Sequence, residues 1–169
     1  MTAPAQQLVE WVDEAGRVLA LVSRSRVRAE NLRHRSVFVV VRSAGGEILV
    51  HRRATWKDVW PGYWDLAAGG VCGVGEPWAA AARRELAEEL GIEVDELTEM
   101  GGIAYEDRAV AELARVYEVR HDGPFRFDDG EVAEIAWVPF AELEGWSAAR
   151  AVCPDSVAGV LPLVRARPG

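Results

Sequence analysis

A glycine-rich segment that runs directly into a helix is the most constraining feature of this sequence. Residues 69–76 read Gly-Gly-Val-Cys-Gly-Val-Gly-Glu, and their glycines permit positive φ angles and close backbone approach. Pro77 suits the first position of a helix, four alanines follow at 79–82, and Gly91 suits the position just past the helix end. The four-residue spacing of apolar side chains predicts that one face packs on a core, through Ala82, Leu86 and Leu90.

Short apolar runs on both sides of this helix predict an α+β fold, with helices packed on a mixed β-sheet. Strands are predicted over residues 36–42, 47–53, 63–67, 102–105, 113–120 and 132–138. Shorter helices are expected over 140–145 and 155–164, the second kinked or shortened by Pro162. Before the sheet, residues 8–12 and 18–22 predict a hairpin, and residues 25–32 a short helix capped near Ser25.

Length and charge narrow the classes of protein that the chain can belong to. Its 169 residues suit one domain, with residues 1–35 as an N-terminal extension. A net charge of −8 disfavours a nucleic-acid polymer as partner but leaves a small phosphorylated ligand open. No apolar run is long enough for a membrane helix, and the first residues lack the order of a secretory signal, so a cytoplasmic location is expected. Cys72, Cys153 and the three histidines match no metal-ligand spacing.

Three glutamates on the central helix carry the strongest chemical signal. Glu85, Glu88 and Glu89 stand at i, i+3 and i+4 and therefore share one helical face. Like charges at these spacings destabilise a helix, and two of them lie in the last turn, where the helix dipole disfavours negative charge. A divalent cation would offset this repulsion, and oxygen ligands favour Mg²⁺ or Mn²⁺ over zinc. On the helix alone, an acidic, solvated surface remains the alternative.

The glycine segment and the helix together resemble the Nudix box. From Gly70 the sequence has five residues, Glu76, seven residues, Arg84-Glu85-Leu86, one residue, Glu88-Glu89, one residue and Gly91-Ile92, which fills every defining position over residues 70–92. The resemblance implies an α/β/α sandwich and a metal-dependent hydrolase that cleaves a diphosphate linkage in a small organic substrate. It also implies that Gly69, through a nearby main-chain carbonyl, and Glu85, Glu88 and Glu89 hold the metal, and that Arg84 pairs with Glu76 to orient the helix.

The general base and the substrate contacts are less constrained by the sequence. Glu89 or Glu85 could accept the proton from the attacking water, and so could a glutamate from a later strand or loop, for which Glu112, Glu131 and Glu134 are candidates. Arg52, Arg53 and Lys57 could bind the substrate phosphates, although adjacent strand residues point to opposite faces, so at most one of the two arginines should face the site. Core packing or stacking on a substrate is expected of the tryptophans near this loop, Trp56, Trp60 and Trp64.

A second, narrower resemblance covers residues 34–64, which are similar to type I isopentenyl-diphosphate isomerase, an enzyme with the same fold. Its catalytic cysteine and a metal-binding histidine correspond here to Gly69 and Val71, which can supply neither function, while His34 falls at one of its ligand positions. Hydrolysis is therefore favoured over isomerisation, and an isomerase-like Nudix hydrolase is the subgroup expected. A module that binds nucleotides without turnover is the third alternative. Nucleoside di- or triphosphates lead the expected substrates, ahead of coenzyme-like or prenyl diphosphates, and a homodimer is left open.

Overall fold

The computed structural model describes residues 6–168, which form a mixed sheet around one long central strand. The strands are β1 Leu8–Val12, β2 Val18–Ser23, β3 His34–Arg42, β4 Ile48–Arg53, β5 Trp64–Asp65, β6 Ala68–Val71, β7 Thr98–Glu106, β8 Ala111–Arg120 and β9 Val132–Val138. The main sheet has the order β5-β4-β3-β8-β7, with β6 paired to β3 and β9 paired to β4. Strand β3 runs parallel to β8 and antiparallel to β6, so the predicted mixed sheet is confirmed.

Both faces of β3 are buried, which accounts for its uninterrupted run of β-branched residues. Phe38 and Val40 pack into the core on one face, whereas Val37, Val39 and Val41 pack into the core on the other. Helix α2, Trp78–Leu90, covers the second face with Ala82, Leu86 and Leu90 fully buried, as the periodicity predicted. The C-terminal elements cover the first face: a 3₁₀ turn at Phe140–Glu142, α3 Leu143–Ala148, a π-helical turn at Ser156–Val160 and α4 Leu161–Arg165. The resulting α/β/α sandwich agrees with the expected fold class.

Two helix caps differ from the sequence predictions. Helix α1, Arg24–Glu30, is capped by Ser23 rather than Ser25, because the Ser23 hydroxyl accepts the Arg26 N–H at 3.2 Å. Pro77 is the N-cap of α2 rather than its first helical residue, with an extended ψ of 143°. The C-terminal helical segment is interrupted, as predicted, by a π-helical turn that ends two residues before Pro162, because proline has no N–H to donate to the preceding turn.

The N-terminal extension docks on the strand that leads into the glycine-rich segment. Strands β1 and β2 form their own antiparallel two-stranded sheet, as predicted, and α1 follows at once. Val9, Val22 and Val27 from these three elements pack in one cluster with Val71 at the end of β6. This contact brings α1 to the edge of the site described below. Among residues 6–168, no helix is long and apolar enough to cross a membrane.

Candidate active site

The glycine-rich segment lies so close to strand β3 and helix α2 that a side chain at Gly69 would clash with the β3 backbone and one at Gly70 would displace the Glu85 carboxylate. A Cβ on Gly69 would lie 2.0 Å from the Val37 carbonyl oxygen, and a Cβ on Gly70 would lie 2.5 Å from Glu85 Oε2. Strand β6 can therefore pair with β3 and still leave room for the Glu85 carboxylate beside its backbone. Close approach, rather than an unusual φ angle, is what requires glycine at these two positions.

Arg84 joins the glycine segment to the acidic face of α2. Its Nε and NH2 donate to the two carboxylate oxygens of Glu76, each at 2.9 Å, and NH2 also donates to the Val71 carbonyl at 3.2 Å. Its NH1 donates to Glu85 Oε1 at 2.5 Å and to Glu88 Oε2 at 3.3 Å. Hydrogen bonding from Arg84 lowers the pKa of Glu76. The structure thus contains the Glu76–Arg84 pair that the sequence indicated, and the same guanidinium fixes the Glu85 carboxylate.

The three glutamates on the shared face of α2 differ in burial. Glu85 and Glu89 are 9% and 2% exposed, whereas Glu88 is exposed. Glu89 Oε2 accepts the Gly69 N–H at 3.1 Å, which ties the last turn of the helix to β6. Burial raises the pKa of both Glu85 and Glu89, and the neighbouring charge of Glu85 raises that of Glu89 further. Two carboxylates are therefore held close together in a region from which water is largely excluded.

These side chains suit a divalent cation by their chemistry. All are oxygen donors, as Mg²⁺ and Mn²⁺ prefer, and the backbone beside Glu85 is open only because residue 70 lacks a Cβ. Within residues 6–168, no three His, Cys, Asp or Glu side chains already form a compact set of ligands. The guanidinium of Arg84 lies between Glu85 and Glu88 and partly neutralises them. The residues fit a metal that adds positive charge to this acidic face.

A cavity of about 560 Å³ opens in front of Glu85 and Glu88. Gly69, Gly70, Glu85 and Glu88 form one wall, and three cations also line it: Lys57, Arg84 and Arg24. Lys57 forms an ion pair with Glu131, another lining residue. An opening of this size, with acidic and basic walls, can accommodate a small charged ligand.

The two adjacent arginines at the end of β4 point in different directions, as expected of neighbouring strand residues. Arg53 faces inward, where Nε donates to the Val59 carbonyl at 3.2 Å and NH1 lies 3.6 Å from Asp65. Arg52 points outward and pairs with Glu134 at 3.1 Å on the surface. Because Arg52 borders neither this cavity nor the smaller one described below, it is not retained as a phosphate contact.

The three later glutamates considered as general bases lie at different positions relative to the cavity. Glu131 lines the large cavity, Glu134 lies outside it beside Arg52, and Glu112 is buried in an adjoining smaller cavity.

The three tryptophans near the glycine segment also lie in different surroundings. Trp64 packs edge-on against Trp146 at 5.2 Å, and Trp60 lines the smaller cavity. Trp56 is 63% exposed, so core packing is wrong for this residue.

Arg24 is the cavity residue that the sequence did not indicate. It is the first residue of α1, in the N-terminal extension, about 45 positions before the glycine segment in a chain of 169 residues. No local motif marks it, because its position depends on the packing of Val9, Val22 and Val27 against Val71. Among the described residues, Arg26 and Arg28 of the same helix form ion pairs with Glu30 and Asp58, whereas Arg24 forms none.

Comparison with known proteins agrees with this fold and site. The NUDIX domain family model matches residues 32–155. An uncharacterised Nudix hydrolase of Pseudomonas aeruginosa is 39% identical over 154 residues, covering 89% of each chain. The Nudix hydrolase YfcD of Escherichia coli K12, also uncharacterised, is 39% identical over 137 residues, 79% of this chain and 76% of its own. The crystal structure of DR0079 from Deinococcus radiodurans superposes with a TM-score of 0.78 at 26% identity, covering 95% of this chain and 98% of that one.

The chain therefore belongs to the Nudix family, and it is an enzyme of the Nudix hydrolase class. Hydrolases of this family generally use divalent metals and act on small molecules.

Proposed function

We propose that this protein is a Mg²⁺- or Mn²⁺-dependent pyrophosphohydrolase that cleaves a diphosphate linkage in a small organic substrate, with nucleotide-like diphosphates as the leading class. The observation that carries the proposal is the pair of buried carboxylates, Glu85 and Glu89: Glu85 lines a cavity of about 560 Å³ that also has cations on its wall, and Glu89 lies behind that wall, where it accepts the N–H of Gly69, another lining residue. Buried like charges are costly unless they serve a ligand of opposite charge.

The reaction requires a site that holds negative phosphate oxygens and also takes a proton from water. A divalent cation bound here supplies the neutralising charge and makes water easier to deprotonate. Glu85, Glu88 and Glu89, together with a main-chain carbonyl near Gly69, would hold the cation or the water bound to it. Arg84 keeps Glu85 in position, and Glu76 in turn keeps Arg84 in position.

We place the general base on Glu89, with Glu131 as the alternative. Burial raises the pKa of Glu89, which makes its carboxylate a better proton acceptor than an exposed glutamate. Glu131 borders the cavity, but its carboxylate is already paired with Lys57. Glu134 lies outside the cavity.

The substrate phosphates would meet cations that line the same cavity as Glu85. Lys57 and Arg24 both border the large cavity, and both also border the smaller one beside it. Arg53 lies deeper and is engaged by Val59 and Asp65, so it contributes positive potential rather than a free donor. The proposed phosphate contacts are therefore Lys57 and Arg24.

The test of this function is a screen for phosphate or nucleotide release over nucleoside triphosphates, nucleoside diphosphate sugars, dinucleotides and prenyl diphosphates, with Mg²⁺, Mn²⁺ or EDTA. Cleavage of at least one diphosphate with metal, and loss of that activity in EDTA, is the expected result. If the wild-type protein cleaved none of them but bound a nucleotide, the protein would be a binding module rather than an enzyme of this reaction.

Replacement of Arg24 tests whether the N-terminal extension takes part in substrate binding. Arg24→Gln should raise KM at least about 10-fold with a smaller change in kcat, because one charge-assisted contact to phosphate contributes about 1.5–3 kcal/mol. Arg26→Gln is the matched control, because Arg26 lies on the same helix but pairs only with Glu30 at the surface. Equal kinetics for the two variants would remove Arg24 from the site.

The relationship to the isomerase gives a second proposal about subgroup. We propose that the chain is an isomerase-like Nudix hydrolase without isomerase activity. Gly69 has no side chain, and Val71 packs with Val9, Val22 and Val27 of the extension, so neither position offers an acid or a metal ligand. Isopentenyl diphosphate incubated with the protein and Mg²⁺ should yield no dimethylallyl isomer above the enzyme-free rate, followed by NMR. Appreciable isomerisation would show that another residue supplies the acid.

A further inference from the structure

A second, smaller cavity adjoins the diphosphate cavity and has no role in the mechanism above. Its volume is about 70 Å³, and it shares Lys57, Gly69 and Gly70 with the large cavity. It lies where β3 and β8 begin, and His34 and Glu112 are register partners across these parallel strands. Register partners in neighbouring strands project their side chains to the same face of the sheet. His34 and Glu112 therefore stand side by side on the cavity wall.

Glu112 has a hydrogen-bond acceptor that nothing in the described residues satisfies. Only 4% of the residue is exposed, and Oε1 has no hydrogen-bond partner. A buried polar atom without a partner costs about 1–3 kcal/mol, so such atoms in native proteins generally meet a ligand or water. Whether Glu112 is ionised or carries its proton on Oε2, the atom Oε1 accepts hydrogen bonds.

His34 presents a second acceptor in the same place. Its Nδ1 lies 3.0 Å from the Leu32 carbonyl oxygen, so this nitrogen carries the proton and donates. Burial lowers the pKa of His34 to about 4, so the ring is neutral at pH 7 and Nε2 is left as an acceptor. The wall thus offers two acceptors, and a complementary ligand must offer donors.

The remaining wall residues restrict the charge and the size of that ligand. Four cations border the cavity together with the carboxyl groups of Asp65, Asp155 and Glu112, so charges of both signs are present and a neutral group is favoured over a charged one. A volume of about 70 Å³ holds a group of a few non-hydrogen atoms rather than a nucleobase. Hydroxyl groups on a short carbon unit meet all three conditions of charge, size and hydrogen bonding.

We propose that this cavity binds a small, neutral, hydroxylated carbon unit joined to the phosphate chain, with Glu112 and His34 accepting hydrogen bonds from its hydroxyl groups. The inference rests on the proposed function, because it takes the adjoining cavity to hold the phosphates. It narrows the substrate class to phosphate compounds of hydroxylated units, such as sugars or polyols, and it makes Glu112 a specificity residue rather than a general base.

Two fragment phosphates that differ only in hydroxyl groups test the inference without turnover. Glycerol 3-phosphate and propyl phosphate would be titrated into the full-length protein with Mg²⁺, and their dissociation constants measured by NMR shift changes. Glycerol 3-phosphate should bind at least about 10-fold more tightly, the difference expected for one or two satisfied buried acceptors. Equal affinities, or no binding of either compound, would overturn the inference without any variant being made.

The variant Glu112→Met then tests whether Glu112 is responsible for the preference for glycerol 3-phosphate over propyl phosphate. Methionine has a similar length and no acceptor, so the variant should bind both compounds with the affinity of propyl phosphate for the wild type. Glu106→Met is the matched control, because Glu106 lies on the neighbouring strand β7, is exposed, and pairs with Arg33 outside this cavity. If Glu112→Met still preferred glycerol 3-phosphate, Glu112 would not be the residue that accepts hydrogen bonds from the hydroxyl groups.

The fragment titration and the diphosphate screen together show whether the cavity assignment or the hydrolase assignment has failed. If the wild type discriminates between the fragments but cleaves no diphosphate in the screen, the cavity assignment stands and the hydrolase assignment fails. If it cleaves diphosphates but treats the fragments alike, the hydrolase assignment stands and the cavity assignment fails.

Discussion

Glu89→Gln should lower the rate of diphosphate cleavage by at least about 10²-fold while the protein stays folded. Glutamine keeps the shape and can still accept the Gly69 N–H, but it cannot take a proton from water and binds a cation far more weakly. The measurement is kcat and kcat/KM on the best substrate from the screen. Glu93→Gln is the control, because Glu93 lies four residues further on, is exposed, and is 3.9 Å from its partner Arg126.

The same variant should be at least as stable as the wild type when no metal is present. Burial raises the pKa of Glu89, so its ionised form is less favourable in the folded protein than in the unfolded chain. A raised carboxyl pKa makes stability fall as the pH rises from the unfolded pKa, near 4.3, toward the folded one. Glutamine does not ionise, so the variant does not undergo this loss of stability. Thermal melts at pH 7 should show an equal or higher Tm for Glu89→Gln in EDTA, and a smaller rise on addition of Mg²⁺. If the variant turned over substrate at the wild-type rate, the role of general base would be assigned to Glu131 instead.

The regular elements were predictable because their signals are local. The β-branched run that became β3 follows from burial on both faces, and the alanine-rich stretch ending at Gly91 follows from helix propensity and the left-handed cap. The resemblance to the Nudix box also implied the pair of Glu76 and Arg84, and the structure contains it. The cap residues were misplaced by one or two positions because neighbouring serines, or a proline and its successor, offer similar local chemistry.

The substrate side of the site depends on contacts between distant segments, and these leave little trace in a single sequence. Alternation along β4 predicted that only one of Arg52 and Arg53 would face inward, but not which one. The register of β4 with β5 and β9 decides this, because Arg52 stands opposite Glu134 and pairs with it. Arg24 reaches the cavity only through the docking of the hairpin, and Glu112 meets His34 only through the parallel register of β3 and β8.

Arg84→Ala should lose both stability and activity, which distinguishes a positioning residue from a metal ligand. The variant leaves both Glu76 oxygens without their main partner and leaves Glu85 without its counter-charge. A lost charge-assisted network of this kind costs about 1.5–3 kcal/mol, and Arg84 is one-third exposed, so the lower half of that range is expected. Displacement of Glu85 by even about 1 Å can lower the rate about 10²-fold.

Arg83→Ala and Arg84→Lys make the test specific. Arg83 precedes Arg84 on the same helix and makes only one long hydrogen bond, at 3.4 Å to the Asp95 carbonyl, so its removal should change Tm and rate little. Lysine at position 84 keeps the charge but has a single ammonium, which cannot reach the two Glu76 oxygens, the Val71 carbonyl and Glu85 together. Arg84→Lys should therefore recover part of the Tm but little of kcat. If Arg84→Lys restored wild-type kcat, charge alone would account for the role of Arg84, and the forked geometry that joins the glycine segment to Glu85 would not be needed for the reaction.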